Sequence, residues 1–85
     1  MEKEKAKLMF KLAFSKKNWG HKFDRLEHYK RFQNLKIIVK DLSKKGWLLI
    51  QQKPNYTNIS LNPKFKAEII EFIEDKMSEL KGMIK

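Results

Sequence analysis

Long polar and basic side chains recur at helical spacing between residues 33 and 44. At about 3.6 residues per turn, one face of a helix would carry Gln33, Ile37, Lys40 and Lys44. A glutamine can bond bidentately to adenine, an isoleucine can touch a thymine methyl group, and lysines can pair with phosphate or guanine. These residue types are suited to binding a nucleic acid rather than to catalysing a reaction. A shifted helix phase would instead place Ile37 in the core.

Further residues of the same kind flank this face. Lys36 lies beside it, and Asn34 could also read adenine if it turns the same way. Lys30 and Arg31 precede the face, near where backbone phosphates would lie. The candidate DNA-binding set is Lys30, Arg31, Gln33, Asn34, Lys36, Ile37, Lys40, Lys44, Lys53, Asn55 and Tyr56. Taken singly, each lysine is equally well read as a solvated charge, so the hypothesis depends on their convergence.

Catalytic and metal-binding patterns are weak. His21, Asp24 and His28 fall at i, i+3 and i+7 and could share a helix face with a metal ion. A surface location beside a core stripe is the commoner explanation, and no fourth ligand or cysteine supports a site. The sequence has no nucleophile–base pair and no phosphate-binding glycine loop. We therefore expect no enzyme, no cofactor, no metal and no small-molecule substrate.

Aromatic residues interleave with the basic ones, at Tyr29, Phe32, Trp47 and Tyr56. Such a pattern can stack on unpaired bases. At these positions core packing is the favoured interpretation, with Tyr56 the expected exception.

The charge of the chain is strongly positive and unevenly distributed. Its 85 residues carry a formal net charge of +10, all of it within residues 1–61, while residues 62–85 hold five charges of each sign. This distribution indicates a basic surface for a polyanion and a different role for the C-terminal segment. A lysine-rich genome bias is the alternative. With no cysteine, disulfides and thiolate chemistry are excluded.

The membrane and secretory classes are not favoured. No apolar run approaches the roughly 20 residues that span a bilayer, and the N-terminal residues lack a signal-peptide pattern. We expect a cytoplasmic, nucleoid-associated protein with no membrane partner.

Apolar spacing predicts the helices. The spacing predicts one helix over residues 3–16 and another near residues 23–30, with a break at 31–34. The break is needed because Phe23, Leu26, Tyr29, Phe32 and Leu35 step by three and would drift around an α-helix. A third helix over 34–45 has the cleanest stripe, formed by Leu35, Ile38, Val39 and Leu42.

Turn residues divide the rest of the chain. Gly46 follows two lysines and is typical of a helix stop. Strands are predicted at 47–52 and 56–61 around a Pro54-Asn55 turn, forming a β-hairpin. Asn62 and Pro63 are typical of an N-cap and first helical residue, so a last helix is expected over about 63–84.

The first and last helices carry more apolar surface than one small core needs. For the first helix, full packing in the core is the favoured interpretation, contact with a second subunit is the alternative, and a basic helix on a membrane surface is less favoured because of Glu2, Glu4 and the broad apolar arc. A homodimer would bury the surplus of both helices. The predicted dimer interface consists of Met9, Phe10, Phe14, Ile73, Met77, Leu80 and Ile84.

The segment from Phe23 to Ile73 resembles the winged helix-turn-helix domains of MarR-type and PadR-type transcription regulators. The resemblance is carried by the stripe Leu35, Val39 and Leu42, the run from Ser43 to Leu48, and the segment from Tyr56 to Pro63. It implies a mainly α domain with a β-hairpin wing. With the chain length and the predicted long terminal helices, we expect one α+β domain over 1–85. The resemblance further implies a dimeric regulator of transcription that binds double-stranded DNA sequence-specifically, with the third helix in the major groove and the wing on the flanking backbone.

Two alternatives remain open at this point. A winged helix can serve as a protein-interaction module, such as a viral or plasmid-encoded adaptor or inhibitor, because fold alone does not determine function. A replication or partition initiator domain would bind DNA in a different process.

Overall fold

The fold combines short helices with a small antiparallel sheet. The structure, a computed structural model, describes residues 2–15 and 17–80. In order, the described elements are helix α1 (Glu2–Phe10), a π-helical turn (Lys11–Ser15), strand β1 (Asp24–Arg25), a 3₁₀ turn (Leu26–Tyr29), helix α2 (Leu35–Lys44), strands β2 (Leu48–Gln52) and β3 (Thr57–Leu61), a 3₁₀ turn (Pro63–Phe65), helix α3 (Lys66–Lys76) and a final 3₁₀ turn (Ser78–Leu80). The expected α+β class with a hairpin is confirmed. None of the described helices has the length and apolar character to cross a bilayer.

The hairpin and its place in the sheet are well defined. Strand β3 is central, with β2 on one side and β1 on the other, both antiparallel. The hairpin register pairs Leu48 with Leu61 and Ile50 with Ile59. Leu48, Ile59 and Leu61 are buried, so this face of the sheet contributes to the core.

The core joins all three helices to the sheet. Burial of each large aliphatic side chain contributes about 1.5–3 kcal/mol to the stability of the fold. This burial holds the short helices and strands together. Its largest fully buried aliphatic side chains are Leu8, Met9, Leu12, Ile38, Leu42, Ile59, Leu61, Ile69 and Ile73.

The junction between α2, the hairpin and α3 follows the predicted signals. Gly46 has φ +79°, and the N–H groups of Gly46 and Trp47 donate to Ser43 O (3.0 Å) and Leu42 O (3.1 Å). This pair of bonds is a Schellman motif, and it satisfies the last carbonyls of α2. Asn62 Oδ1 accepts from Lys64 N–H (3.0 Å), while its Nδ2 donates to Gly46 O (2.8 Å). The predicted glycine stop and asparagine cap are both confirmed.

The helix predicted near residues 23–30 is wrong. Asp24 and Arg25 instead pair with Ile59 and Asn58 of β3. Ser60 Oγ, fully buried, donates to Lys22 O (2.6 Å) and accepts from Gly20 N–H (2.8 Å), which holds this segment extended against the sheet. A step of three residues is the period of a 3₁₀ turn, and that is what forms from Leu26 to Tyr29. The predicted break is confirmed, since α2 begins only at Leu35.

The first helix covers nearly the whole of its predicted range, because α1 ends at Phe10 and continues directly as a π-helix over Lys11–Ser15. The expectation of a long C-terminal helix is wrong. Helix α3 ends at Lys76, and Met77 leaves helical geometry with φ −132° and ψ 68°. A helix is stabilised mainly by burying one face. Helix α3 packs on α1 and buries Ile69 and Ile73, and the next apolar residue of the stripe, Met77, is also buried but lies beyond the end of the helix. Residues 81–85 of the predicted helix lie outside the described residues.

Candidate nucleic-acid interface

The solvent-facing side of α2 carries the predicted basic face. The stripe Ile38, Val39 and Leu42 is buried. Lys36, Lys40 and Lys44 are exposed on the other side. Ile37 is 53% exposed and therefore lies outside the core, as the first helix phase predicted. Gln33 is exposed as well, but it lies in the turn before α2, separated from the helix by the left-handed Asn34, so the helix phase does not extend to it.

The turn before α2 presents the next predicted residues. Lys30, Arg31 and Asn34 are all exposed. Asn34 adopts the left-handed conformation with φ 58°, which asparagine tolerates better than most residues. Its carbonyl accepts the first helical bond from Ile38 N–H (2.9 Å), and its side chain makes no capping bond. The Asn34 amide is therefore not committed to the helix end.

The hairpin tip carries the remaining three predicted residues. Lys53, Asn55 and Tyr56 are exposed, and Lys53 N–H donates to Tyr56 O (2.9 Å) to close the turn. The Arg25 guanidinium lies 4.4 Å from the centre of the Tyr56 ring. This cation–π contact joins β1 to the tip through a residue that the sequence did not single out. The same guanidinium is paired with Glu27 (3.2 Å). No local pattern in the sequence indicates the contact with Tyr56, because Arg25 lies near the tip only through the pairing of β1 with β3.

Two open clefts separate α2 from the hairpin. The larger has a volume of about 440 Å³ and is lined by Leu26, Lys36, Val39, Lys40, Ser43, Lys44 and Ile50. The smaller, of about 330 Å³, is lined by Leu26, Glu27, Lys30, Leu35, Lys36, Asn55, Tyr56 and Thr57. Leu26 and Lys36 border both, so the clefts adjoin and together bring α2 and the hairpin tip to one surface. We call this surface the α2–hairpin cleft.

The one acidic residue of α2 is neutralised locally. Asp41 is hydrogen-bonded to the ammonium of Lys5, whose residue is only 6% exposed, and Lys45 Nζ lies 3.9 Å away. The hydrogen bond to Lys5 lowers the pKa of Asp41, and the same bond raises the pKa of Lys5 despite its burial. The carboxylate is thus paired with cations and adds little repulsion for a polyanion on the α2 face.

Helix α3 has the opposite charge character. It holds four acidic residues against two lysines. Glu68, Glu71 and Asp75 line a cleft of about 380 Å³ beside Trp47 and Phe72. This cleft shares no lining residue with the α2–hairpin cleft, so acidic and basic surfaces are separate.

The residues predicted for a dimer interface are largely inside the single chain. Met9 and Ile73 are fully buried and Met77 is nearly so. Phe10 is half-buried, and Phe14 is 42% exposed and stacks on it with ring centres 5.2 Å apart. The Leu80 side chain and Ile84 lie outside the described residues. Among the predicted residues that the structure describes, the Phe10–Phe14 pair is the apolar surface left for a second copy.

A polar network, rather than a helix face, surrounds Asp24. Tyr29 Oη donates to Asp24 Oδ2 (2.7 Å), and His28 Nδ1 lies 2.6 Å from Oδ1. Burial raises the pKa of Asp24, but the hydrogen bonds from Tyr29 and His28 outweigh it and leave the pKa below its ordinary value. Burial of the Tyr29 ring raises the pKa of its hydroxyl, and the hydrogen bond to the Asp24 carboxylate raises it further. Within residues 2–15 and 17–80, no cluster of three His, Cys, Asp or Glu residues could hold a metal ion.

The aromatic residues follow the favoured interpretation. Tyr29 is buried, Phe32 and Trp47 are half-buried against the core, and Tyr56 is 36% exposed. Tyr56 is thus the exception that the sequence predicted.

Comparison with known proteins gives no relative. No family model, curated protein or solved structure matches this chain. The geometry and charge of the described residues are therefore the indications of function.

Proposed function

We propose that this chain binds double-stranded DNA as a small, dimeric, sequence-specific regulator of transcription. The supporting observation is the α2 face, where exposed Lys36, Lys40 and Lys44 accompany Ile37 while Asp41 is paired with Lys5. Lysines so placed neutralise phosphates, and each phosphate neutralised releases condensed counterions.

The shape of the surface supports a helix in the major groove. One side of the ten-residue helix α2 is exposed, from Lys36 to Lys44, and a major groove about 12 Å wide admits one α-helix. In helix-turn-helix proteins, the N-terminal residues of such a helix contact base edges. Gln33 and Asn34 lie at that end, and the hairpin tip would then lie on the flanking backbone. The order helix, hairpin, helix favours the winged helix-turn-helix interpretation, although the 3₁₀ turn from Leu26 to Tyr29 stands where a second full helix was expected.

A dimer would supply the affinity that a single helix lacks. A two-fold pair would place two α2 helices about 34 Å apart, one turn of DNA. The Phe10–Phe14 stack is the exposed apolar feature that such a pair would cover. Light scattering during size-exclusion chromatography would test this, and a monomer at high concentration would contradict the dimer while leaving DNA binding open.

The test of DNA binding is a salt titration with a fluorescent random-sequence duplex. We expect log K to fall linearly with log salt, by about 0.9 for each phosphate contacted and several units in total. A selection for bound sequences should then recover a preferred site. No binding to the duplex at low salt would refute the proposal, and binding without any sequence preference would refute the regulator assignment.

A further inference from the structure

The α2–hairpin cleft has an aliphatic floor that DNA binding does not use. Leu26, Val39 and Ile50 come from the 3₁₀ turn, α2 and β2 and line the larger cleft together. Ile50 pairs with the fully buried Ile59 and follows the buried Leu48 by two residues, so it lies on the core face of the sheet. It is nevertheless 40% exposed. The core face of the hairpin is therefore uncovered at this point.

A row of lysines borders this floor. Lys36, Lys40 and Lys44 follow one another at intervals of four residues along α2, about 6 Å per step, and all three line the larger cleft. Lys30 extends the basic border along the smaller cleft toward Tyr56, where the one acidic lining residue, Glu27, is paired with Arg25 (3.2 Å). The cleft thus offers an apolar strip with cations along one side.

The chemistry of this strip selects its occupant. A duplex presents mainly phosphates, sugars and polar base edges, which suit the lysines but offer little apolar surface to the exposed Ile50 and the half-buried Leu26 of the floor. An amphipathic helix in a groove presents apolar side chains at i, i+3, i+4 and i+7 together with a polar border. For charge complementarity with three lysines, that border must be acidic.

We propose that the α2–hairpin cleft binds an acidic amphipathic peptide segment of a partner protein. Its apolar side chains would lie on Leu26, Val39 and Ile50, and its carboxylates would pair with Lys36, Lys40 and Lys44. This interaction does not depend on the DNA-binding proposal. If both hold, the peptide and DNA compete for the same lysines, and the peptide is a means of regulation.

The test uses a synthetic helical peptide with leucines at i, i+3, i+4 and i+7 and glutamates elsewhere, labelled with fluorescein. Its control is a peptide of the same composition with the leucines spread around the helix. Fluorescence anisotropy should show binding of the amphipathic peptide about tenfold tighter than the control. Equal affinities would mean that charge alone acts, and would overturn the proposal.

Two isoleucine variants give a matched comparison. Ile50→Thr removes apolar surface from the floor but keeps the β-branched shape that suits a strand, and we expect it to weaken the peptide about fivefold. Ile37 on α2 is more exposed than Ile50 but does not line the cleft. Ile37→Thr should therefore leave the affinity for the peptide unchanged. Circular dichroism melts establish that both variants fold. Equal effects of the two substitutions on the peptide would contradict the proposal.

Nucleic-acid probes separate this inference from the proposed function. Ile50→Thr should not change duplex binding, whereas Lys40→Glu should weaken both peptide and duplex. An absence of duplex binding with intact peptide binding would refute only the proposed function. If a single-stranded oligothymidine probe binds more tightly than the peptide and loses more affinity in Ile50→Thr, the floor serves unpaired bases and the peptide proposal fails.

Discussion

The ammonium of Lys5 on α1 is hydrogen-bonded to the carboxylate of Asp41 on α2, in a position where the Lys5 residue is only 6% exposed. Glu2 Oε1 lies 3.1 Å from the same ammonium. This contact ties the first helix to the α2 face and orients the one acid of α2 toward the body of the protein.

We expect Lys5→Met to lower the melting temperature by about 5 °C, which is roughly the effect of 1 kcal/mol in a domain of this size. The apolar stem is kept, so the loss reports the ion pair. Lys7→Met is the matched control, since Lys7 is exposed and its pair with Glu4 is longer, at 3.6 Å. Surface pairs of that kind contribute little, and equal losses in the two variants would contradict a special role for Lys5.

The stability of the protein should fall in acid. The pKa values of Asp24 and Asp41 both lie below their ordinary range in the folded chain. The stabilisation they provide is fully present above about pH 5, above the unfolded-state pKa near 3.9. It is lost as the pH falls through the folded-state pKa, because the unfolded chain then binds more protons.

Urea denaturation between pH 7 and pH 2.5 measures this dependence. Asp24→Asn should lower stability near neutral pH and flatten the acid limb, because one linked carboxylate is gone. An acid limb as steep in Asp24→Asn as in the unmodified protein would show that Asp24 does not contribute.

Two glycines should differ in their tolerance of alanine. Gly46 (φ +79°) and Gly20 (φ +87°) both lie in the left-handed region, so each substitution should cost about 1 kcal/mol from backbone strain. A Cβ at Gly46 would meet Phe65 Cε2 at 3.4 Å, an ordinary contact, whereas a Cβ at Gly20 would meet the Pro63 ring at 2.9 Å. Gly20→Ala should therefore be the more destabilising in urea denaturation. The reverse order would contradict the close packing of Gly20 on Pro63.

The proposed DNA contacts predict two different losses. Lys40→Ala should weaken binding to all duplexes alike and reduce the salt slope by about one. Gln33→Ala should relax the preference at one base pair, at a cost of about 1–3 kcal/mol on the selected site. Lys76→Ala on α3 is the control, because Lys76 lies outside the proposed surface and pairs with Asp75 at 3.4 Å.

Fluorescence anisotropy on the selected duplex and on a random duplex measures both effects. Equal losses for Gln33→Ala on the two duplexes would refute its reading role. A loss for Lys76→Ala as large as that for Lys40→Ala would show that the basic face of α2 has no special part in binding.

The parts of the fold that the sequence predicted are those with local signals. The α2 stripe, the Gly46 stop, the hairpin and the Asn62 cap each arise from residues within a few positions of one another. Strand β1 could not be predicted in this way, because it is held by Ser60, which is 38 residues from Lys22. The apolar residues that recur every three positions from Phe23 correctly excluded a continuous α-helix. The same spacing is the period of a 3₁₀ helix, and a 3₁₀ turn forms from Leu26 to Tyr29.

In the candidate site, too, the features with local sequence signals were predicted and those that depend on distant residues were not. Exposure of Ile37 and of the α2 lysines followed from helix phase alone. The Arg25–Tyr56 contact and the cleft between Leu26, Val39 and Ile50 depend on how three distant segments meet, which no local pattern specifies. Similarly, the apolar stripe of α3 continues in the sequence past Met77, but the α-helix ends at Lys76.

Asn62 has a mechanical consequence. Its side chain bonds Lys64 N–H and Gly46 O, and its own N–H donates to Trp47 O (2.8 Å), so it fastens the base of the hairpin to both α2 and α3. The hairpin is held at its base by residues 47 and 62 and along β3 by the pairing of Asn58 and Ile59 with β1, while the tip beyond Gln52 contacts β1 where Arg25 meets Tyr56. The gap between α2 and the hairpin should stay constant in width at the Lys44 end and vary most at the Tyr56 end. A ligand that fills this gap must reduce the motion of the hairpin tip. The conformational entropy lost on binding is then that of residues Lys53 to Tyr56.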